Sequence, residues 1–348
     1  MVKSPGNGTR VEDCTVEVET LPVPTPEAGE VLIKVVAAPV NPSDYGSWYR
    51  GFNKLGKDAY PMAMGKEGCG IVVATNGIWA GLRYPIGTKV GFVVLEGKQG
   101  SYSEFVTVDA MKGIFPMPDD VPIEDCASFF VNPYTAYGIL ETARRECDAK
   151  VIVHTAAASQ VGQMLNKLAP SEGMEILNVV RREEQAELLR SIGAKHIVVT
   201  SGDVQTWKGE LKTKIKELNV TCAFDAVSGN MGGTVMEVLP PKSTVYTYGG
   251  LAGPIGNINP IDLIYRKKQL KGWYLTSWVS SGGPLHILPR LYAAGNKVNA
   301  GLNGGWSSSQ FQDTKLESTF DNIVSLLGSS ATGKKLRIRF DEQNTNDK

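Results

Sequence analysis

Cysteine is sparse in this chain. Its five cysteines (Cys14, Cys69, Cys126, Cys147 and Cys222) are scattered, with no C-x-x-C pair. That spacing argues against a structural zinc lobe and against a disulfide scaffold, and a reducing compartment is the simplest setting. Excess charge is also missing, since 36 Lys and Arg balance 36 Asp and Glu. Without a basic tract, neither nucleic acid nor an anionic membrane is expected as a partner. No apolar run reaches the roughly 20 residues of a membrane span. Residues 1–12 carry neither a signal-peptide core nor an Arg/Ser-rich amphipathic pattern. What remains is an ordinary globular composition, 42% hydrophobic over 348 residues, a length that suits two domains. The expected location is the cytoplasm, or the mitochondrion if a transit peptide has been removed.

The stretch from Val151 to Arg182 organises the rest. A β-branched run, Val151-Ile152-Val153-His154-Thr155, stops at the small residues Ala156-Ala157-Ala158-Ser159. A helical segment containing Gly162 follows and is closed by Pro170 and Gly173. A second apolar run, Ile176 to Val180, then ends in Arg181-Arg182. Strand, tight turn, helix, strand is the first βαβ unit of a dinucleotide-binding fold. Ala157, Ser159 and Gly162 stand at the three positions of a degenerate G-x-G-x-x-G, where small residues let main-chain N–H groups approach a pyrophosphate. A carboxylate at the end of the second strand would bind the ribose 2′-OH of NAD. Here that position holds two arginines, and a guanidinium fork suits the 2′-phosphate of NADPH. The alternative is that both arginines pair with Glu183 and Glu184 at a helix start.

Before this unit the chain reads as a strand-rich lobe. Glu30 to Ala38 is a β run after a Pro/Gly turn, and three Gly-led turn–strand pairs begin at Gly65, Gly87 and Gly100. Asn41-Pro42-Ser43-Asp44 is expected to be a turn, because Pro restricts Asn41 to extended backbone. Tyr45, Trp48, Tyr49 and Phe52 follow it, either lining a pocket or forming a local plug. The lobe has no H-E-x-x-H and no other metal-ligand spacing. Ile123 to Phe130 and Ala136 to Leu140 recur at helical spacing, with Asn132-Pro133 expected to bridge two helices. After the βαβ unit come a helix stopped by Gly193 and strands at His196, Cys222, Ser243 and Leu270–Leu275. The last of these carries Lys271, which suits a sheet edge. A helix over Glu317–Leu327 and a strand over Lys335–Phe340 return to the first lobe. A polar tail after Asp341 is expected to be disordered.

Taken together, Asn41-Pro42-Ser43-Asp44, Val131 to Tyr137, Asn178 to Arg181, Thr247 to Gly250 and Leu270 to Trp278 resemble the medium-chain dehydrogenase/reductase superfamily. They do so in the family's order and over almost the full length. The chain is most similar to the zinc-independent, quinone-reductase-like branch, and within it to mitochondrial-type 2-enoyl thioester reductases. Zinc members carry a Cys at or before the Asn-Pro turn and a His in a G-H-E turn. Here the first segment has no Cys and the second turn reads Gly65-Lys66-Glu67, so no metal is expected.

The resemblance implies an α/β fold. A Rossmann-type parallel-sheet domain for NADPH would span residues 132–278. A β-rich, GroES-like substrate domain would be assembled from residues 1–131 and 279–348. It implies that Ser159, Val161 and Gly162 meet the pyrophosphate and that Arg181 and Arg182 hold the 2′-phosphate. Thr135 would lie near the nicotinamide carboxamide, with Tyr248 and Gly249 lining the cofactor. Trp273, Tyr274 and Leu275 would run beside the nicotinamide. The reaction implied is hydride transfer to the β-carbon of a small molecule with a conjugated carbonyl, an enoyl thioester or an enone. The alternatives are a quinone reductase or a non-catalytic protein that retains NADPH. Enoyl reductases carry a tyrosine eight residues after the Asp of the N-P-x-D turn, whereas this chain has Phe52 there. Tyr49 and Tyr45, in an apparently lengthened loop, become the candidate proton donors, with packing as the alternative. Asn41 is the next candidate, for carbonyl binding. Lys66 is more simply a solvated turn lysine. The branch also implies a homodimer formed through the Leu270–Leu275 edge.

Overall fold

The structure is a computed structural model describing residues 1–8, 10–50, 60–94, 99–328 and 333–340. Phe52 and the tail after residue 340 lie outside the described residues. The chain folds as two compact units, residues 1–131 with 308–348, and residues 132–307.

The first unit opens with strands β1 (Val2–Ser4), β2 (Thr15–Val16) and β3 (Glu30–Pro39), then helix α1 (Pro42–Arg50). Strand β4 (Glu67–Thr75), helix α2 (Ile78–Arg83) and strands β5 (Lys89–Val93), β6 (Phe105–Asp109) and β7 (Ile114–Pro116) follow. In β3 the β-branched residues Val31, Ile33 and Val35 are buried at alternate positions, as a strand with one core face requires. They pack with Val72, Val90, Phe92 and Val106 into one apolar cluster. A second cluster, around Trp48, Met64, Ile323 and Ile338, lies under α1.

The second unit runs α3 (Val131–Cys147), β8 (Val151–Thr155), α4 (Gln160–Leu168), β9 (Glu175–Val180), α5 (Glu183–Ser191) and β10 (His196–Val199). It continues through α6 (Val204–Glu217), β11 (Cys222–Asp225), α7 (Gly229–Val238), β12 (Thr244–Thr247), α8 (Pro260–Ile264), β13 (Gln269–Gly272), α9 (Leu275–Ser280) and α10 (Pro284–Leu302). Its six strands are all parallel, in the order β10-β9-β8-β11-β12-β13. Val153, Leu177, Val198, Ala223 and Val245 stack across the sheet beneath α6 and α7. The chain then returns to the first unit through β14 (Phe311–Thr314), α11 (Thr319–Gly328) and β15 (Lys335–Arg339). Strand β15 inserts between β14 and β3 in a seven-stranded sheet. This α/β architecture, a Rossmann-type parallel sheet and a β-rich lobe, is the expected fold class.

Four local expectations need correction. Asn41 to Asp44 is not a free turn but the start of α1. Pro42 occupies the first helical position, where its missing N–H costs nothing. The Asp44 carboxylate reaches back to accept from Asn41 N at 2.8 Å, half of a capping box. Tyr45 and Tyr49 therefore sit on a helix rather than in a lengthened loop. Asn132-Pro133 likewise belongs to the first turn of α3, and the segment before it is only a short 3-10 turn (Ile123–Cys126). The final strand of the parallel sheet ends at Gly272, and Leu275 begins a helix. Residues 279–307, expected in the β-rich lobe, belong to the second unit. There Arg290 donates to the carbonyls of Trp278 (2.7 Å) and Ser281 (2.8 Å), and Ser307 Oγ donates to Val298 O.

Candidate functional site

At the carboxyl end of β8 the chain turns sharply. Ala156 takes a left-handed conformation (φ 50°) and Ser159 becomes the N-cap of α4, its hydroxyl accepting from Gly162 N at 3.2 Å. Gly162 has no room for a side chain, since a Cβ there would lie 2.1 Å from Ala157 O. The turn and the first helical turn are thus pressed together, leaving Ser159 and Val161 partly exposed at the helix N-terminus. One strand over, β9 ends at Val180 and is followed by Arg181, which is exposed and forms no ion pair among the described residues. Arg182 is the N-cap of α5, whose first turn is held by Gln185 Oε1 accepting from Arg181 N (3.0 Å). Glu183 is engaged by Arg190 at 2.6 Å.

The ends of β11 and β12 are pinned by Asp225. Its Oδ1 accepts from Thr155 Oγ1 (2.6 Å) and Val227 N (3.0 Å), and its Oδ2 accepts from Ser228 N (3.0 Å). Ser228 Oγ in turn donates to Gly249 O at 2.6 Å, and a Cβ on Gly249 would meet Ala226 O at 2.6 Å. Tyr248 hydroxyl and His154 Nε2 are 2.6 Å apart with their rings stacked. Burial holds His154 down to about 3, so it is neutral near pH 7, and its Nδ1 has no hydrogen-bond partner among the described residues. Trp273 meets Tyr248 edge-on and donates from Nε1 to Thr142 Oγ1 (3.0 Å). The Trp273 ring is therefore committed to the packing against α3, while Tyr274 is exposed and Leu275 half-buried. Thr135 is buried in the first turns of α3. Sequence reasoning missed His154, although its place inside a β-branched run beside the small-residue turn is the signal for a buried, interior-facing histidine.

The first unit holds a separate buried polar cluster. Asn41 Nδ2 donates to Glu67 Oε1 at 3.0 Å, and Lys335 Nζ donates to Asn41 Oδ1 (2.6 Å) and Ser128 Oγ (2.7 Å). Lys335 Nζ lies 3.8 Å from Glu67 Oε1, while Glu67 Oε2 accepts from Phe130 N and Val131 N. All four side chains are essentially out of solvent. Beside them Tyr102 hydroxyl donates to Asp44 Oδ2 at 3.1 Å. Burial pushes the Asp44 carboxyl up to about 6, against the pull of Lys66. Asn41 is consequently clamped at both ends of its amide, which leaves one N–H for any further ligand. Tyr45 packs on Trp48 (6.4 Å between centroids), and both Tyr45 and Tyr49 lie against the apolar cluster under α1. Lys66 donates to Ser43 O at 2.8 Å.

Sequence reasoning singled out Asn41 but missed Asp44, Tyr102, Ser128 and Lys335 as its neighbours. Lys335 is 294 positions away from Asn41 and carries no local signal.

A zinc ion, which the superfamily implies for some members, does not fit these residues. The cluster offers no thiolate or imidazole, and the Lys335 ammonium already occupies its interior. The nearby thiols of Cys69 and Cys126 are driven up by burial, Cys126 to about 12. Among the described residues, no three of His, Cys, Asp and Glu are grouped to hold a metal.

Comparison with known proteins accounts for both units. Residues 27–119 match the family described as alcohol dehydrogenase GroES-like domain, and residues 161–282 match the one described as zinc-binding dehydrogenase. The chain belongs to the medium-chain dehydrogenase/reductase superfamily. It is 26% identical over 321 residues to the mitochondrial enoyl-[acyl-carrier-protein] reductase of Rattus norvegicus, covering 89% of this chain and 83% of the relative. A solved structure from Mesorhizobium loti, provisionally assigned as an NADPH:quinone reductase, is 28% identical. It superposes with a TM-score of 0.77 over 91% of this chain and 88% of its own. The Escherichia coli quinone oxidoreductase, solved with NADPH, shares the fold at 18% identity. Its TM-score is 0.76 over 96% of this chain and 98% of its own.

Proposed function

We propose that this protein is a zinc-independent, NADPH-dependent reductase of conjugated carbonyl compounds, acting on an enoyl thioester or an enone. The observation that carries the reading is the exposed Arg181, without an ion pair among the described residues, one strand over from the Gly162 turn. The residues fit the cofactor. The backbone of Ser159, Val161 and Gly162 would hold its pyrophosphate at the start of α4. Arg181 and Arg182 would hold the 2′-phosphate, and Thr135, Tyr248, Gly249 and the Trp273–Leu275 segment would bound the nicotinamide. Bound there, NADPH supplies a hydride for a carbon activated by a carbonyl. The neutral His154 holds the Tyr248 ring by its hydroxyl and keeps that strand end rigid. A hydroxyl of Tyr49 or Tyr45 is the proposed donor to the developing enolate, and Asn41 is the next candidate, for binding the carbonyl.

Supporting the substrate class are the enoyl reductase relative and the quinone-reductase designation of the Mesorhizobium loti neighbour. A quinone is therefore the second reading. NADPH oxidation measured with crotonyl thioester, a free enone and a quinone tests the proposal. Turnover of the thioester or enone above that of the quinone is expected. Quinone turnover alone supports the second reading, and no turnover with NADPH bound leaves a binding protein.

We also propose a homodimer built on β13, whose outer edge ends the parallel sheet; Tyr265 precedes this strand and Tyr274 follows it, and both are exposed. No helix among the described residues is long and apolar enough to cross a membrane. The cytoplasm is the proposed location, and the relative's mitochondrial designation makes that organelle the alternative.

A further inference from the structure

At the amino ends of β11, β12 and β13, opposite the cofactor turns, two of the five cysteines meet. Cys147 ends α3 and Cys222 begins β11; Cys147 lines a cavity together with Thr221, which precedes Cys222, and Thr244, which pairs with Cys222 across the strands. Register places Cys222 beside Thr244 and Phe224 beside Tyr246, so the Tyr246 phenol shares the face of the sheet that Cys222 occupies. Cys147 Sγ is 3.8 Å from Tyr246 hydroxyl, which donates to Glu146 Oε2 at 2.7 Å. Sulfhydryl, phenol and carboxylate thus form a chain along which the Cys147 proton can pass to Glu146. The Lys271 ammonium stands 3.9 Å from the Glu146 carboxylate and 5.6 Å from the Tyr246 ring centre.

The two thiols differ in access. Cys147 is half-exposed in the wall of a surface cavity of about 450 Å³ whose lining includes Arg145, Lys242 and Lys271, whereas Cys222 is fully buried behind it. We propose that Cys147 and Cys222 are the attacking and resolving thiols of a hydroperoxide-reactive dithiol site, separate from the reductase site. The Cys147 thiolate attacks the outer peroxide oxygen and the O–O bond breaks. The alkoxide takes up a proton and leaves as an alcohol, or as water when the oxidant is hydrogen peroxide. Cys147 is then a sulfenic acid. Cys222, giving up its proton, attacks the Cys147 sulfur, the S–O bond breaks and water leaves. Two thiols lose two electrons to one peroxide, and a Cys147–Cys222 disulfide results.

The selectivity follows from environment. Hydrogen bonds from Cys222 and Tyr246 lower the Cys147 thiol to about 7 against the burial that opposes them. Burial raises Cys14 to about 11 and Cys126 to about 12, and it holds Cys69 well above the ordinary thiol range.

Hydrogen peroxide added to the intact full-length protein at pH 7, followed by non-reducing peptide mapping by mass spectrometry, tests this site. The expected product is a peptide pair linked through Cys147 and Cys222, with Cys14, Cys69 and Cys126 still reduced. In Cys222→Ser the link should vanish and Cys147 should be trapped by dimedone as the sulfenic acid. Tyr246→Phe should slow Cys147 oxidation at least fivefold. Oxidation of Cys147 no faster than that of Cys69 in the wild type overturns the proposal. So does a stable Cys147 sulfenic acid that never links to Cys222.

Discussion

Replacing Asp44 by Asn should stabilise this protein near neutral pH and not in acid. The carboxyl titrates at about 6 in the folded chain, against 3.8 for an unburied aspartate, because burial disfavours its charge. Lys66 and Lys335 favour the ionised form, while Glu67 opposes it. Because the folded pKa is raised, the native state binds more protons than the unfolded chain between pH 3.8 and about 6. Stability from this group is therefore full below 3.8 and is lost as pH rises through 6. At 1.36 kcal/mol per pKa unit, the loss is about 3 kcal/mol. Asparagine keeps an oxygen for Asn41 N and Tyr102 hydroxyl, which bond the aspartate at 2.8 and 3.1 Å, and it cannot ionise. Urea unfolding of wild type and Asp44→Asn at pH 4, 5, 6, 7 and 8 measures the effect. Other titrating groups cancel in the difference, which should rise in the variant's favour by about 2.4 kcal/mol between pH 4 and 7 and then level off. A difference that stays flat over that interval refutes the reasoning, and would mean that Lys66 and Lys335 neutralise the cost of burying the charge.

Three further outcomes are expected. Arg181→Ala should weaken NADPH binding by about ten- to a hundredfold, roughly 1.5–3 kcal/mol for one charged contact, with little change for NADH. Fluorescence titration of both cofactors reads this, and equal wild-type affinities would sink the assignment. Tyr49→Phe, Tyr45→Phe and the double variant should reveal the donor as a fall in kcat on the order of 10²–10³. Three wild-type values with chemistry rate-limiting would leave both rings with packing alone. Gly272→Pro removes a donor from β13 and should shift a dimer towards monomer in light scattering, whereas a wild-type monomer at micromolar concentration removes that proposal.

The parallel sheet was legible because its strands are β-branched runs that stop at small or charged residues, as at Thr155, Val180 and Asp225. What the sequence hid has a common cause. Asn41-Pro42 obeys the same local rules whether a turn or a helix follows, and the deciding interaction is the return of Asp44 to Asn41 N. Helix α10 contains Pro289, which breaks the helical signal while the fold tolerates it. The neighbours of Asn41 are scattered over Asp44, Glu67, Tyr102, Ser128 and Lys335, and only the closed sheet brings them together.

The buried ammonium of Lys335 also imposes an order on synthesis. Glu67 and Asn41 are made early, yet the cation that compensates them inside the β-rich lobe comes with β15, close to the carboxyl end. The parallel-sheet unit, encoded between residues 132 and 307, has all its strands before that strand leaves the ribosome. Until then the β-rich lobe must leave Glu67 in water or bury it uncompensated, a choice that favours staying open. A chain stopped before residue 335 would therefore carry a finished parallel-sheet unit and a β-rich lobe held open by the acid that closing would bury.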